Sequence, residues 1–530
     1  MKRELVIRST KRLREIKIYH PFLFSIFPLL AFYSNNKHEL TLNILILPLI
    51  IIFFLSSLYY IFLRRIIRNK YKAGITATFT FFMFFSFGHM MIIIKKSQII
   101  ADFIINSPFL ILLLLIFFLG VIFIILKLKK SFINASGVLN VFSIVLIIIS
   151  ISNITYFEIG RKPQNEFNEK SGIQTTLFEN YCSKNQCPDI YYIIIERYGN
   201  KDILKEYFNY DNSDFISFLE NQGFVIPEKS RSNYLTTPPS LGSSLNMDYL
   251  LELSLFMGED NSDTGPLFNL YSDNKIWRYF KSKGYKYIFV GSYWEHGDRS
   301  EFADINYEFK SIGLSGFSRS FLETTMFYPM LNSIVSNPYL EWRKLHHDLS
   351  IDQFEKLEAF STFKGPKYVF AHLYLTHSPY VFDKSGKMIT AEEEKKRGYK
   401  NNYVNAVIFA NKKLKNLIEK IQQNSGKRAV IILQADEGPF PEYYNLEKDN
   451  FNWKTATREE MVVKTGILNA YYLPNVDRKI IYSSITPVNS FRLIFNIYFN
   501  ENLPLLPDKT YAHQDEQHPY KFWEITKSVN

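Results

Sequence analysis

The sequence predicts a bundle of membrane-spanning α-helices followed by an α/β domain whose mainly parallel sheet is sandwiched between helices. Three observations carry that expectation. Long apolar runs crowd the first 157 residues. Beyond them, short continuous apolar segments alternate with amphipathic ones, the pattern of parallel strands covered on both faces. Charge divides the same way: of a net +11, residues 1–157 hold 18 Lys+Arg against 4 Asp+Glu, or +14, which leaves −3 for residues 158–530.

About five runs approach the length needed to span a bilayer: Pro21–Tyr33, Leu42–Leu63, Ala73–Ile94, Pro108–Leu126 and Gly137–Tyr156. The first is short and contains Pro28, so a cleaved signal peptide is its alternative. Against that stand the long basic stretch from Lys2 to Lys17 and the lack of an Ala-x-Ala site after it. Basic residues gather in the N-terminal arm, in the loop carrying Arg64, Arg65, Arg68, Lys70 and Lys72, and around Lys127, Lys129 and Lys130. The loops between, near Lys37 and over Lys95–Pro108, carry fewer. Because cytoplasmic loops collect Lys and Arg, the N-terminus is expected in the cytoplasm and residues after about 157 outside it. With the basic surplus assigned to the membrane half, no block suited to nucleic acid remains.

Residues 1–157 are thus expected to form the transmembrane domain, 158–187 a polar linker, 188–510 the soluble domain and 511–530 a C-terminal tail. Cys182 and Cys187 fall just before the soluble domain, and either a small disulfide loop or two free thiols fits them. Buried-strand patterns cover Asp189–Glu196, Tyr287–Gly291, Tyr368–Leu375, Ala429–Gln434 and Ile467–Leu473. Helical periodicity covers Asn274–Lys283 and Tyr403–Gln423.

Function in open α/β sheets gathers at the carboxyl ends of the strands. The first strand runs into Glu196. The second runs into Trp294, His296 and Arg299, the third into His377, and the fourth into Asp436-Glu437-Gly438. One carboxylate after a strand is ordinarily a solvated loop residue. Several carboxylates and imidazoles at one sheet edge can converge on a divalent cation. Thr237-Pro238-Pro239-Ser240 opens a small-residue stretch and reads as a helix N-terminus, with an N-cap as the plain alternative to an oxyanion site. His513 and His518 read as solvated residues of the tail.

These segments resemble the sulfatase-like branch of the alkaline phosphatase superfamily over about residues 188–510. With helices ahead of the domain, the layout is similar to lipoteichoic acid synthases and lipid A phosphoethanolamine transferases. The resemblance implies an alkaline phosphatase/sulfatase-like fold. It implies Thr237 as catalytic nucleophile, and Glu196, Thr237, Asp436 and Glu437 as ligands of one divalent metal ion. His377, Arg299, Trp294 and His296 would bind substrate. Glu437 stands where the family usually has His. Three carboxylates would favour Mn or Mg, with Zn admissible. Thr in place of Cys or Ser disfavours formylglycine chemistry. The implied function is transfer of a phosphorus-containing headgroup from a membrane lipid donor to an envelope glycan or lipid acceptor, at a bacterial cytoplasmic (inner) membrane with the soluble domain outside. The alternatives are a hydrolase of sulfate or phosphate esters and an inactive membrane scaffold.

Overall fold

The computed structural model describes residues 16–37, 40, 42–96, 108–129, 131–160, 187–292, 299–307, 316–327, 338–446 and 451–530. The chain divides into two units. The first contains α1 (His20–Asn36), α2 (Ile46–Ile67), α3 (Lys70–Lys96), α4 (Pro108–Lys127) and α5 (Ile133–Gly160). Among the described residues three helices are long and apolar enough to cross a membrane: Leu42–Ile67, Lys70–Met91 and Ile133–Ile159. The apolar stretch Leu114–Lys127 is shorter, and α1 has 17 residues around Pro28. α1 packs against α2, α3 and α5 as a member of the bundle. Asn140 of α5 caps it from outside, accepting from the backbone N–H of Tyr19 and of His20, each at 2.9 Å.

A helix distant in sequence, Gly316–Glu323, belongs to this same unit. Its Phe317 and Phe321 are buried against Leu29, Leu30, Tyr33 and Phe85. The chain after it pairs backbone to backbone with α3: Gly88 N–H donates to Thr324 O at 2.9 Å and Met326 N–H to Phe84 O at 2.8 Å. A β-carbon at Gly88 would lie 2.5 Å from Thr324 O, so glycine is required there.

The second unit is built on β1 (Ile190–Ile195), α6 (Thr237–Asn246), α7 (Lys275–Ser282), β2 (Lys286–Val290), β3 (Ile305–Tyr307), α8 (Pro338–Ser361), β4 (Lys367–Leu373), α9 (Tyr399–Asn424), β5 (Val430–Gln434), α10 (Arg458–Thr465), β6 (Asn469–Tyr472) and α11 (Pro487–Phe499). The sheet order is β3-β2-β4-β1-β5-β6. All neighbours are parallel except β5 and β6. Strand side chains alternate between faces. Tyr191, Ile193, Val369, Ala371, Ile431 and Leu433 meet α8 and α9 on one face. Ile190, Tyr192, Ile194, Tyr368, Phe370, Val430 and Ile432 meet α6, α7 and α11 on the other. The strand-rich, mainly parallel sheet between helical layers is the architecture expected.

Two details differ. β3 has three residues, too few to show a period in sequence. Residues 511–530 are not a solvated tail. β7 (Tyr511–Ala512) pairs antiparallel with β8 (Trp523–Glu524). Tyr511 N–H donates to Asn233 O at 2.8 Å, and Tyr520 is fully buried. His513 is buried as well, and burial holds its imidazole down at a pKa of about 4. His518 remains near the surface with Nδ1 2.7 Å from Asp515 Oδ1. Cys187 is disulfide-bonded, and the chain's other cysteine, Cys182, lies outside the described residues.

Candidate active site

The apolar face packed on α6 and α11 turns polar where the strands end. Continuing its two-residue period leads from Ile194 to Glu196 on β1, from Phe370 to His372 on β4, and from Ile432 through Gln434 to Asp436 on β5. These three residues are at most 1% exposed. Each offers one ligand atom, and the three atoms lie within 4.8 Å of one another. Glu196 Oε2 is 2.7 Å from His372 Nε2. Thr376 Oγ1 donates to the Glu196 carbonyl, which ties the end of β1 to the loop after β4.

α6 brings the hydroxyl. Prolines in its first turn lack only N–H groups that a helix start leaves unpaired anyway. Thr237 Oγ1 donates to Asp436 Oδ2 at 2.6 Å and lies 3.3 Å from Glu196 Oε1. Ser240, one turn on, donates to the Asp436 carbonyl at 2.5 Å. Burial and then the nearby Glu196 charge push the Asp436 carboxyl up to about 7, with His372 opposing. Two buried carboxylates, an imidazole and a hydroxyl at ligand distance are a donor set that suits a divalent cation.

Glu437 does not join this set. It follows Asp436 by one residue, and alternation turns it to the opposite side of the strand end. Its Oε1 accepts from Arg197 Nε at 3.0 Å and sits 2.7 Å from Lys464 Nζ. Gly438 makes this possible: a β-carbon there would lie 2.3 Å from Val463 O, and its N–H donates to Lys464 O at 2.8 Å, so α10 closes onto the chain. Burial raises the Glu437 carboxyl and lowers the Lys464 ammonium to about 8.

Of the expected substrate residues, His377 is half-buried, with its ring 5.2 Å from the Tyr374 ring and tilted to it, and the Tyr374 ring lies in turn 4.8 Å from that of His372. Arg299 is exposed. Trp294 and His296 lie outside the described residues. Sequence reasoning overlooked His372, Arg197 and Lys464. The missed signal for His372 was its place on the face of Glu196, two residues beyond Phe370.

The Sulfatase family model matches residues 188–470, more than half of the chain, and the chain belongs to that family. It is a sulfatase-like enzyme, of the kind that acts as hydrolase or transferase. Among solved structures, the chain is similar to the C-terminal periplasmic domain of EptC from Escherichia coli. That match has 11% identity and a TM-score of 0.42, over 64% of this chain and 92% of that one. It is also similar to the corresponding domain of the phosphoethanolamine transferase EptC from Campylobacter jejuni, with 12% identity, a TM-score of 0.36, and 63% and 94% covered. The integral membrane lipooligosaccharide phosphoethanolamine transferase A from Neisseria meningitidis matches at 12% identity and a TM-score of 0.36, over 90% of this chain and 94% of that one. No curated protein matches the chain. The family assignment rests on the sequence match.

Proposed function

We propose that the chain is a bacterial inner-membrane transferase, with its catalytic domain outside the cytoplasm. It would move a phosphorus-containing headgroup from a lipid donor to an envelope glycan or lipid through Thr237. The observation that carries this reading is the Thr237 hydroxyl held 2.6 Å from Asp436 and 3.3 Å from Glu196 in a buried site. Glu196, His372 and Asp436 would hold one divalent ion, with Thr237 facing it. His372 supports an intact site, because it supplies the imidazole that Glu437 does not. It also removes the reason for preferring Mn or Mg, since a mixed nitrogen and oxygen set serves Zn equally. When bound, the ion would supply positive charge to the transferring group and favour ionisation of the hydroxyl.

Asp436 orients the hydroxyl through its 2.6 Å hydrogen bond, and Ser240 fixes Asp436 in turn. Thr237 Oγ1 attacks phosphorus, the bond from phosphorus to the lipid alcohol breaks, and the threonine proton ends on that alcohol. An acceptor hydroxyl then attacks phosphorus, Thr237 leaves, and the acceptor's proton returns to it. In a hydrolase, water takes the acceptor's place.

The test is incubation of the purified full chain with vesicles containing headgroup-labelled phosphatidylethanolamine or phosphatidylglycerol. Intact-peptide mass spectrometry would then look for an adduct. Label on Thr237, passed to an added glycan or lipid and absent in Thr237→Ala, is expected. Release of the labelled headgroup phosphate to water, with none passed to the added glycan or lipid, would replace this reading with the hydrolase.

A further inference from the structure

Arg197 has φ +55°, in the left-handed region that residues bearing a β-carbon seldom occupy. The residue sits in the turn that directly follows β1, where Tyr198 N–H donates to Ile195 O at 3.4 Å. The Arg197 backbone N–H donates to Asp436 Oδ1 at 3.1 Å. Its Nε donates to Glu437 Oε1 at 3.0 Å and lies 3.6 Å from Glu196 Oε1, the same oxygen that Thr237 Oγ1 approaches at 3.3 Å. The hydroxyl and the guanidinium therefore flank one carboxylate oxygen. The Phe440 ring, 4.3 Å from Cζ, holds the guanidinium plane.

The two cations near Glu437 differ in access. Lys464 is fully buried, against Glu437, the Gly438 carbonyl and the Phe440 ring. Arg197 is 20% exposed, whereas Glu196 and Glu437 are at 1%. A guanidinium has five N–H donors in a fork that matches tetrahedral oxyanions. The side-chain hydrogen bond of Arg197 uses only Nε, which leaves the terminal donors for a ligand.

Charge supports such a ligand. The carboxylates of Glu196, Asp436 and Glu437 face the cations Arg197 and Lys464, a formal −1 that one divalent ion converts to +1. Without the two side-chain cations the loaded site would carry −1 and repel an anionic ester.

We propose that Arg197 binds the tetrahedral oxyanion of the substrate, the phosphoryl or sulfuryl group undergoing transfer, and that Glu437, Lys464 and Phe440 are positioning residues that hold its guanidinium. The proposal rests on reading Glu196, His372, Asp436 and Thr237 as the reacting centre. It moves the anion clamp from Arg299 to Arg197 and makes Glu437 a structural partner of that clamp.

The test measures binding of inorganic phosphate to the purified full chain by calorimetry, with and without added Zn²⁺, beside turnover of a phosphodiester. Arg197→Ala should weaken phosphate binding by about 10- to 100-fold, the worth of a hydrogen bond to a charged group. It should lower kcat/KM by a comparable factor or more, and added guanidinium should restore part of the loss. Arg197→Gln, which can still donate to Glu437, should show the same loss if Arg197→Ala fails to fold. Parental phosphate affinity in a folded Arg197→Ala or Arg197→Gln variant overturns the proposal even if the parent is an active metalloenzyme. A parent that binds no metal and turns nothing over, yet loses phosphate affinity in both variants, sinks the reacting centre and leaves the anion site standing.

Discussion

The sharpest physical test of the site is the pH dependence of the metal-free protein. Asp436 is fully buried beside Glu196, and its carboxyl moves from 3.8 to about 7. A folded-state value above the unfolded one means that the folded protein binds the proton more tightly between the two. Stability therefore falls as pH rises through that window. At about 1.4 kcal/mol per pH unit, the full effect is of order 4 kcal/mol between pH 4 and pH 7. Buried His513 acts in the opposite sense. Its value of about 4 lies below the ordinary 6.5, so its contribution is lost as pH falls from 6.5 toward 4. Comparison with Asp436→Asn separates the two, since His513 is common to both proteins. Unfolding of chelator-treated full chain in detergent, followed by tryptophan fluorescence in urea at steps from pH 4.5 to 7.5, should show the parent losing stability relative to Asp436→Asn by a few kcal/mol. Adding Zn²⁺ to the parent should abolish that difference. Parallel curves for the two proteins without metal would refute the claim that buried like charges define this site.

Calorimetry with Zn²⁺ or Mn²⁺ should find affinity reduced at least about 100-fold in His372→Ala and only a few-fold in Glu437→Gln; the reverse order would return Glu437 to the ligand set. Deleting residues 511–530 should prevent folding. It removes the burial of Tyr511, Tyr520, Ile525 and Val529, worth about 6–12 kcal/mol at roughly 1.5–3 kcal/mol each, comparable with a whole domain's stability. Soluble, protease-resistant expression of the truncated chain would contradict this. A periplasm-dependent reporter fused after Asn530 should be active, and activity of a cytoplasm-dependent one there would invert the topology.

The strands at Ile190–Ile195, Lys367–Leu373 and Val430–Gln434 were legible because a sheet covered on both faces requires unbroken apolar runs. Glu196 and Asp436 were legible because each is the first carboxylate after such a run. His372 was not, since one histidine inside an apolar strand reads as core until the neighbouring strands are aligned. Ile194 pairs with both His372 and Gln434, and that register puts the imidazole on the carboxylates' face. Glu437 was assigned to the metal by family pattern, whereas strand alternation assigns it to Arg197 and Lys464. The folding of residues 511–530 depends on pairings such as Tyr511 with Asn233, which no local period reveals.

The segment 316–327 gives the chain an unusual connectivity. The polypeptide leaves the soluble unit after β3, threads into the membrane bundle beside Gly88, and comes back before α8. The polar stretch 161–186 is therefore only one of three strands of chain joining the units. A protease that cuts there would nick the molecule and liberate nothing, because residues 308–337 still stitch the halves together. An expression fragment starting at residue 188 would carry Phe317 and Phe321 without the helices that cover them, and would tend to stick to detergent, membranes or other copies of itself. Replacing residues 313–338 with a short Gly/Ser connection is the rational way to obtain the catalytic half alone.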